Sequence, residues 1–416
     1  MYLIKNKQLC DSEGNILLTL DDEIILTADI IEDYLTKEDL DVAVHSTHLI
    51  PLFKLFLLNP DETPREDITE HIVNDDLSYS HEYKSGQCRS SSVTLENGDG
   101  AWFPSPVKGK NWSGVKLMLY TGIIFKNIVF WFPSGLYYLS NPSINMGDDT
   151  VSLKLVDKFA MLDGNLGGTT ETDYKINVGD NVCDSIASLL KLDMGNGDIF
   201  DLKPFLYPSK FVDEKTPYTL EKSPESNLGE IILELSEMLS CETAYNADGY
   251  LEMNSSDELM QIDAKPVILH ITDEDIELSG LTMDVDYTKI INKVTVVGSN
   301  INGKIFDYTA INDNPASPSS IQFTPPNFMY IADDNIYSDE LCQERAEYEL
   351  QKFSFLGLSI SMPLRIWAPF IKSGDLIMWT SAKYGFKGVK FLVNSINISG
   401  DGKINLSITN TKELPF

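Results

Sequence analysis

The chain has 416 residues, too many for one compact core and enough for about three domains. Its 63 acidic against 32 basic residues leave a net charge of −31, which repels nucleic acid because a DNA binder needs Lys and Arg against the phosphates. No run approaches the ~18 uninterrupted apolar residues that cross a bilayer. The five scattered cysteines, Cys10, Cys88, Cys183, Cys241 and Cys342, form no CxxC pair, so they read as buried free thiols rather than a zinc knuckle or disulfide framework.

Residues 1–66 form an acidic, mixed N-terminal segment. Asp11 and Glu13 precede its first long apolar run, so it is not read as a signal peptide, and folding in a cytoplasm is expected. A short helix is expected near Asp29–Tyr34 and a turn at Asn59-Pro60. From 67 to 164 the period becomes that of strands. Val93 and Leu95 alternate, Asn97-Gly98-Asp99-Gly100 marks a turn, and GVKLMLYTG and IIFKNIVFWF follow as strands. Pro133-Ser134-Gly135 is expected to turn the chain into LYYLSNPSINMGDDTVSLKLVD. Short strands at this spacing predict a small barrel or sandwich.

Helices enter across 165–264. One is expected near Asn181–Leu192, presenting Val182, Ile186, Leu189 and Leu190. Another follows Ser226, where Leu228, Ile231, Ile232, Leu235, Met238 and Leu239 share a face. CETAYNADGYLEM, with Asp248-Gly249 at its centre, predicts a hairpin. Residues 265–330 return to β with KPVILHI and KIINKVTVVGS, a hairpin turn at Asn302-Gly303, and a long loop in DNPASPSSIQFTPPN. Across 331–354 a helix starts at the N-cap Ser338 and runs to Lys352, with Leu341, Ala346 and Leu350 on its buried side. Residues 355–416 are β again: GDLIMW, VKFLVNSINI and KINLSITN. The expected fold class is mixed β with α+β inserts, two similar small β-barrels joined by a helix-containing insert in a multi-domain chain.

An internal repeat supports the pairing of barrels. LSNPSINMGDDTVSLKLV from Leu139 lies over LVNSINISGDGKINLSIT from Leu392 at an offset of 253 residues. That offset matches Asn141 with Asn394, Gly147 with Gly400 and Asp148 with Asp401. Val151, Leu153 and Leu155 fall on Ile404, Leu406 and Ile408, alternate residues of one strand face. Convergent hairpins would look similar, but each tail also follows a Gly that opens an apolar strand, Gly122 in the first and Gly374 in the second. Two similar units per chain would let a trimer present six around one axis.

Motifs for catalysis are absent. The chain has no GxSxG, HExxH, phosphate loop or GxGxxG. His45 and His48 stand at metal-ligand spacing without a third ligand, and NGDG lacks the remaining oxygens of a calcium loop. No catalytic residue, metal site or cofactor is assigned. The aromatic cluster of Trp102, Phe103, Trp112, Trp131 and Tyr137 is expected at core and subunit interface, because neighbouring aromatics on a strand face opposite sides. A glycan-binding face built on it is the alternative.

NDDLSYSHEYKSGQCRSSSVTLENGDGAWFPSP and FWFPSGLYYLSNPSINMGDDTVSLKLVDKFAMLDG together resemble the first barrel of phage tail hub proteins. IILELSEMLSCETAYNADGYLEM is similar to the insert after that barrel. INKVTVVGSNINGKIFDYTAINDNPASPSSI and YSDELCQERAEYELQKFSFLGLSISMP resemble the second half. The resemblance runs from Asp67 to the C-terminus and covers layout and phrases rather than a catalytic motif. It implies a non-enzymatic homotrimer in a virion tail or baseplate, assembled in the bacterial cytoplasm. Its paired barrels would form a pseudo-sixfold ring between a hexameric tail tube and a threefold spike or tip.

Expected partners are the tail tube or distal tail protein, the spike or tip, and the tape-measure protein. No specific nucleic-acid binding and no membrane insertion are expected. Asp273, Glu274, Asp275, Glu277, Asp284 and Asp286 are candidates to line the lumen, a solvated outer face being their plainer reading. A sugar-binding adhesion module and a cell-wall hydrolase are the rival functions, the second without a recognisable acid or nucleophile.

Overall fold

The computed structural model describes residues 3–5, 8–10, 16–18, 24–25 and 37–45, and then 50–412 except 99, 103–111, 113, 126–127, 194–198, 240, 256–263, 302, 335 and 355–356. Strands β1 (Leu3–Lys5), β2 (Gln8–Cys10) and β3 (Ile16–Leu18) form an antiparallel sheet. β4 (Ile24–Ile25) pairs in parallel with a later strand, and helix α1 (Lys37–Val44) contributes Ala43 and Val44 to the main core. The helix expected near Asp29–Tyr34 lies outside the described residues.

The first sheet unit contains β5 (Leu52–Leu58), β6 (Pro64–Asp67), β7 (Ile72–Glu82), β8 (Arg89–Glu96), β9 (Lys116–Phe125), β10 (Ile128–Asn145) and β11 (Thr150–Asp157). Its spatial order is β7-β8-β11-β10-β9-β5-β6. Period-2 alternation decides which side is buried: Val93 and Leu95 on β8 and Val151, Leu153 and Leu155 on β11 are at most 1% exposed. Residues 52–66, placed by the sequence reading in the N-terminal segment, supply β5 and all of β6 but Asp67.

The turn expected at Pro133-Ser134-Gly135 is instead a bulge within the 18-residue β10, where the pairing with β9 shifts between Pro133 and Gly135. A Cβ on Gly135 would lie 2.5 Å from the ring of Tyr137, so glycine is required. Proline and glycine here mark a bulge that bends the strand rather than a reversal of the chain.

The insert holds β12 (Tyr174–Ile176), α2 (Val182–Leu189), β13 (Leu220–Lys222), α3 (Leu228–Met238), β14 (Cys241–Tyr245) and β15 (Leu251–Ser255). Asn181 caps α2 by accepting from the Asp184 amide. The expected apolar faces of α2 and α3 meet in one core with the β14–β15 hairpin, whose turn uses Gly249 at φ 78°. Buried polar contacts fix this insert to the first unit. Lys158 Nζ reaches Glu62 at 2.8 Å, Asp201 at 2.6 Å and the Gly249 carbonyl at 3.2 Å. Beside it, the Asp157 carboxylate accepts from the amides of Cys88, Arg89 and Phe159.

The second sheet unit begins with β16 (Val267–Thr272) and β17 (Thr282–Val285). A subdomain then intervenes, consisting of β18 (Lys293–Ile301), β19 (Lys304–Ile311), β20 (Phe328–Ala332) and α4 (Asp339–Phe353). The unit resumes with β21 (Leu358–Leu364), β22 (Leu376–Ser381), β23 (Phe386–Ser399) and β24 (Ile404–Asn410). Ser338 caps α4 as expected, accepting from the Leu341 amide. The helix buries Cys342, Ala346 and Glu349, while Leu341 and Leu350 pack at the margin of that small core.

The second unit runs β17-β21-β24-β23-β22, the same antiparallel arrangement as β7-β8-β11-β10-β9, and the next strand differs: β16 pairs parallel with β22, whereas β5 pairs antiparallel with β9. Both hairpins carry a bulge at the matching place: pairing shifts across Ser140 in β10–β11 and across Asn394 in β23–β24. Beyond the bulges Pro142 faces Leu153 and Ile396 faces Leu406, so the return strands match at the sequence offset of 253 and the outgoing strands at 254. A connecting turn one residue shorter in the second copy accounts for the difference. The strand-opening glycine that matches Gly374 is therefore Gly114, not Gly122. Leu139 donates to the Val115 carbonyl as Val393 does to that of Asp375, and both glycines have positive φ.

The two expected barrels do not close. The second half of β23, Ser395–Ser399, pairs antiparallel with β7, so the two units share one open 14-stranded sheet. A closed barrel needs its own last strand against its first, and here that edge of β7 is taken by the other unit.

Candidate functional site: the polar face of the joined sheet

Along the path from β17 to β10, one face of the sheet is apolar core and the other is lined by small hydroxyl and amide side chains. At the junction of the units, Asn405, Asn397, Ser80 and Ser90 stand in register across β24, β23, β7 and β8. Ser78 and Ser92 continue the next row to Lys154 and Asn141. Thr94, Ser152 and Ser143 form another. Hydroxyls bond across strands, Ser80 with Ser90 at 3.0 Å and Thr94 with Ser152 at 2.9 Å. These residues are exposed or half-buried, whereas their neighbours on the same strands, such as Tyr79, Ile398 and Leu406, are at most 3% exposed. The charges on this face are few, Lys154 among them, so it offers no basic stripe to hold phosphates.

Beneath this face the seam is pinned by His81. Its Nδ1 lies 2.8 Å from Ser373 Oγ and 3.1 Å from the Ser373 amide, which donates to it. Burial, with Arg89 and Lys372 nearby, pushes the imidazole well below its ordinary pKa, so it is neutral at pH 7. Tyr83 at the end of β7 lies against Gly374, where a Cβ would come within 2.8 Å of the ring.

The acidic candidates separate into two groups. Asp273 accepts from Trp379 Nε1 and Ser381 Oγ, and Asp275 is buried, accepting from the Thr272 amide and hydroxyl with His45 Nε2 at 3.2 Å. Glu274 is exposed, and Glu277 accepts from Ser279 at the end of the same segment. Asp284 stands opposite Ser359 on the polar face, and Asp286 follows it, capping Thr288.

The aromatic candidates lie inside the chain. Trp102 stacks on Trp112 at 5.8 Å, Trp131 lies under Lys54, and Tyr137 donates to the Ser134 carbonyl. All four are at most 7% exposed, which leaves no ring face free for a sugar. Phe103 lies outside the described residues. The polar face itself was present in the sequence as the discarded half of the strand period, the Ser, Thr and Asn between the apolar positions.

No family model and no curated protein matches this chain. Solved structures do. A tail protein from Neisseria meningitidis MC58 superposes with a TM-score of 0.54 at 10% identity over 87% of this chain and 97% of its own. The 43 kDa tail protein of prophage MuSo2 from Shewanella oneidensis gives 0.54 at 12% identity over 86% and 98%. The prophage tail protein gp18 from Listeria monocytogenes EGD-e gives 0.52 at 9% identity over 87% and 95%. The chain thus has the fold of phage and prophage tail proteins over nearly their full length, as its resemblance to tail hub proteins implied.

Proposed function

We propose that this chain is a structural, non-enzymatic component of a phage-type tail or baseplate: a homotrimeric hub at the distal end of the tail tube. The observation that carries the reading is the repeat. Two units of one topology, joined edge to edge with equivalent bulges, give three chains six similar units around one axis. Such a ring matches a hexameric tube on one side and a threefold spike or tip on the other.

The hydroxyl and amide face lines the lumen in this reading. Its groups exchange hydrogen bonds with water and present too few cations to arrest a passing polyanion. Asp284 belongs to that wall, as does Asp286 beside it. Asp273 and Asp275 serve the fold. Tail tube or distal tail protein, spike or tip, and tape-measure protein are the partners it predicts. Negative-stain micrographs of the purified protein test it. A threefold ring with a central channel supports the hub, and a monomer persisting at high concentration rejects it.

A further inference from the structure

The seam between the two units uses β7 from one and the second half of β23 from the other. The same chain carries a second, unused copy of each. β17 is the counterpart of β7, and residues 141–145 of β10 are the counterpart of 395–399. Among the described residues no strand pairs with the outer edge of either. Six strands lie between them along the sheet, about 34 Å over seven strand spacings, so one chain does not join them to each other.

We infer that β17 of one chain adds to residues 141–145 of a second copy, in the register that β7 uses with β23. The inference rests on the trimeric hub reading for the size of the ring, and on the repeat for the pairing itself. Register transfers residue by residue. Ser78, Tyr79, Ser80 and His81 correspond to Thr282, Met283, Asp284 and Val285, because Ser78 faces Ser92 as Thr282 faces Ser361. Met283 then opposes Ile144, and Val285 opposes Pro142.

Burial supports this. Tyr79, His81, Ile396 and Ile398 are at most 3% exposed at the seam within the chain, while Met283 is 37% and Val285 39% exposed. One position further, Tyr83 covers Gly374, which is buried. Its counterpart Tyr287 is 71% exposed, and a Cβ on Gly114, the counterpart of Gly374, would meet nothing within 4 Å among the described residues. The free edges therefore present a tyrosine and its glycine seat near opposite edges of one sheet, a head-to-tail arrangement that a threefold rotation closes into the ring of the hub reading.

Hydrogen bonding agrees. At the existing seam the Tyr83 amide donates to the Asn394 carbonyl and the Gly400 amide to that of Leu77, which makes Ile396–His81 and Ile398–Tyr79 the hydrogen-bonded pairs. In the new seam Ile144 and Met283 exchange two bonds. Pro142 accepts from the Val285 amide and donates none, so that pair supplies one bond where Ile396 and His81 exchange two.

Cysteines test the register. Ser143 and Asp284 form a predicted non-hydrogen-bonded pair, with Cα atoms about 4.5 Å apart and within disulfide reach. Full-length chain carrying both Ser143→Cys and Asp284→Cys should run as a covalent trimer on a non-reducing gel after mild oxidation. Either single variant should remain unlinked, as should Asn141→Cys with Thr282→Cys, which is out of register. Met283→Asp with Val285→Asp, both exposed in the isolated chain, should shift the mass from trimer to monomer with unchanged circular dichroism. A threefold ring that neither crosslinks through Ser143→Cys/Asp284→Cys nor dissociates with Met283→Asp/Val285→Asp overturns this seam and leaves the hub reading intact. A chain monomeric under all conditions overturns both.

Discussion

Replacing Lys158 with Met removes one cation from the most buried charged cluster at the junction of the first unit and the insert. Lys158, Glu62 and Asp201 have side chains at most 4% exposed, with Lys158 Nζ 2.8 Å from Glu62 and 2.6 Å from Asp201. Removing one partner of a buried pair typically costs roughly 3–5 kcal/mol, because a charge is left without compensation. Here the loss is moderated. Lys116 at 3.3 Å and Lys203 at 3.1 Å still face Glu62, and the Tyr245 hydroxyl and Lys203 amide still donate to Asp201.

The expected cost is therefore near the lower end, about 3 kcal/mol, or roughly 6–12 °C in the melting of a cooperative unit of this size. Burial acts to raise the Glu62 carboxyl pKa, but Lys158 first, then Lys203 and Lys116, hold it below its ordinary value. Its contribution is present above the unfolded carboxylate pKa and is lost as pH falls through the lowered folded value. The gap between wild type and Lys158→Met should thus narrow below about pH 4.5, the ordinary glutamate value. Calorimetry across pH reads both quantities. A variant within 0.5 kcal/mol of wild type at pH 7, or a gap that widens in acid, would refute the reasoning.

Gly374→Ala places a Cβ at φ 88° and 2.8 Å from Tyr83. Left-handed strain and overpacking together should cost about 2–4 kcal/mol in urea unfolding. Gly114→Ala, at φ 67° with nothing within 4 Å among the described residues, should cost only about 1–2 kcal/mol in the isolated chain. His81 has a folded pKa below its unfolded value, so its contribution is present above pH 6.5 and declines as pH falls toward the folded value. His81→Gln should flatten that acid loss in denaturation measured from pH 7 to 4, and an unchanged slope would show that another group carries it.

Burial pushes the Asp375 carboxyl up to about 6 from 3.8, against the hydrogen bond it accepts from the Lys372 amide. Ionisation therefore weakens the fold as pH rises from 4 to 6, by at most roughly 3 kcal/mol. Asp375→Asn should gain on wild type over that interval in pH-dependent melting. An advantage that stays constant from pH 4 to 7 would contradict it.

Much of the architecture was legible where local pattern and burial coincide. The alternation of Val151, Leu153 and Leu155 and of Ile404, Leu406 and Ile408 identified both return strands. The single-faced apolar sets after Asn181 and Ser226, and the cap at Ser338, identified three helices. Pro133-Ser134-Gly135 misled because proline and glycine signal both turns and bulges, and only the partners of β10 distinguish the two. The acidic cluster at 273–277 drew attention as charge, yet what Asp273 and Asp275 do depends on Trp379, Ser381 and Thr272, which composition cannot bring near.

By itself the sequence determined the two similar hairpins, the helical insert between them, and the lack of catalytic spacing, since each rests on residues close in the chain. Tertiary structure alone decided that β7 finds its outer partner in β23, more than 300 residues later. It also decided that the serines and asparagines between the apolar positions converge on one continuous face, and that, among the described residues, β17 and residues 141–145 are left as matching free edges. Strand pairing is specified by backbone hydrogen bonds that any sequence can make. Which edges meet is therefore set by how the packed units sit against each other, and side-chain pattern supplies only the register once they do.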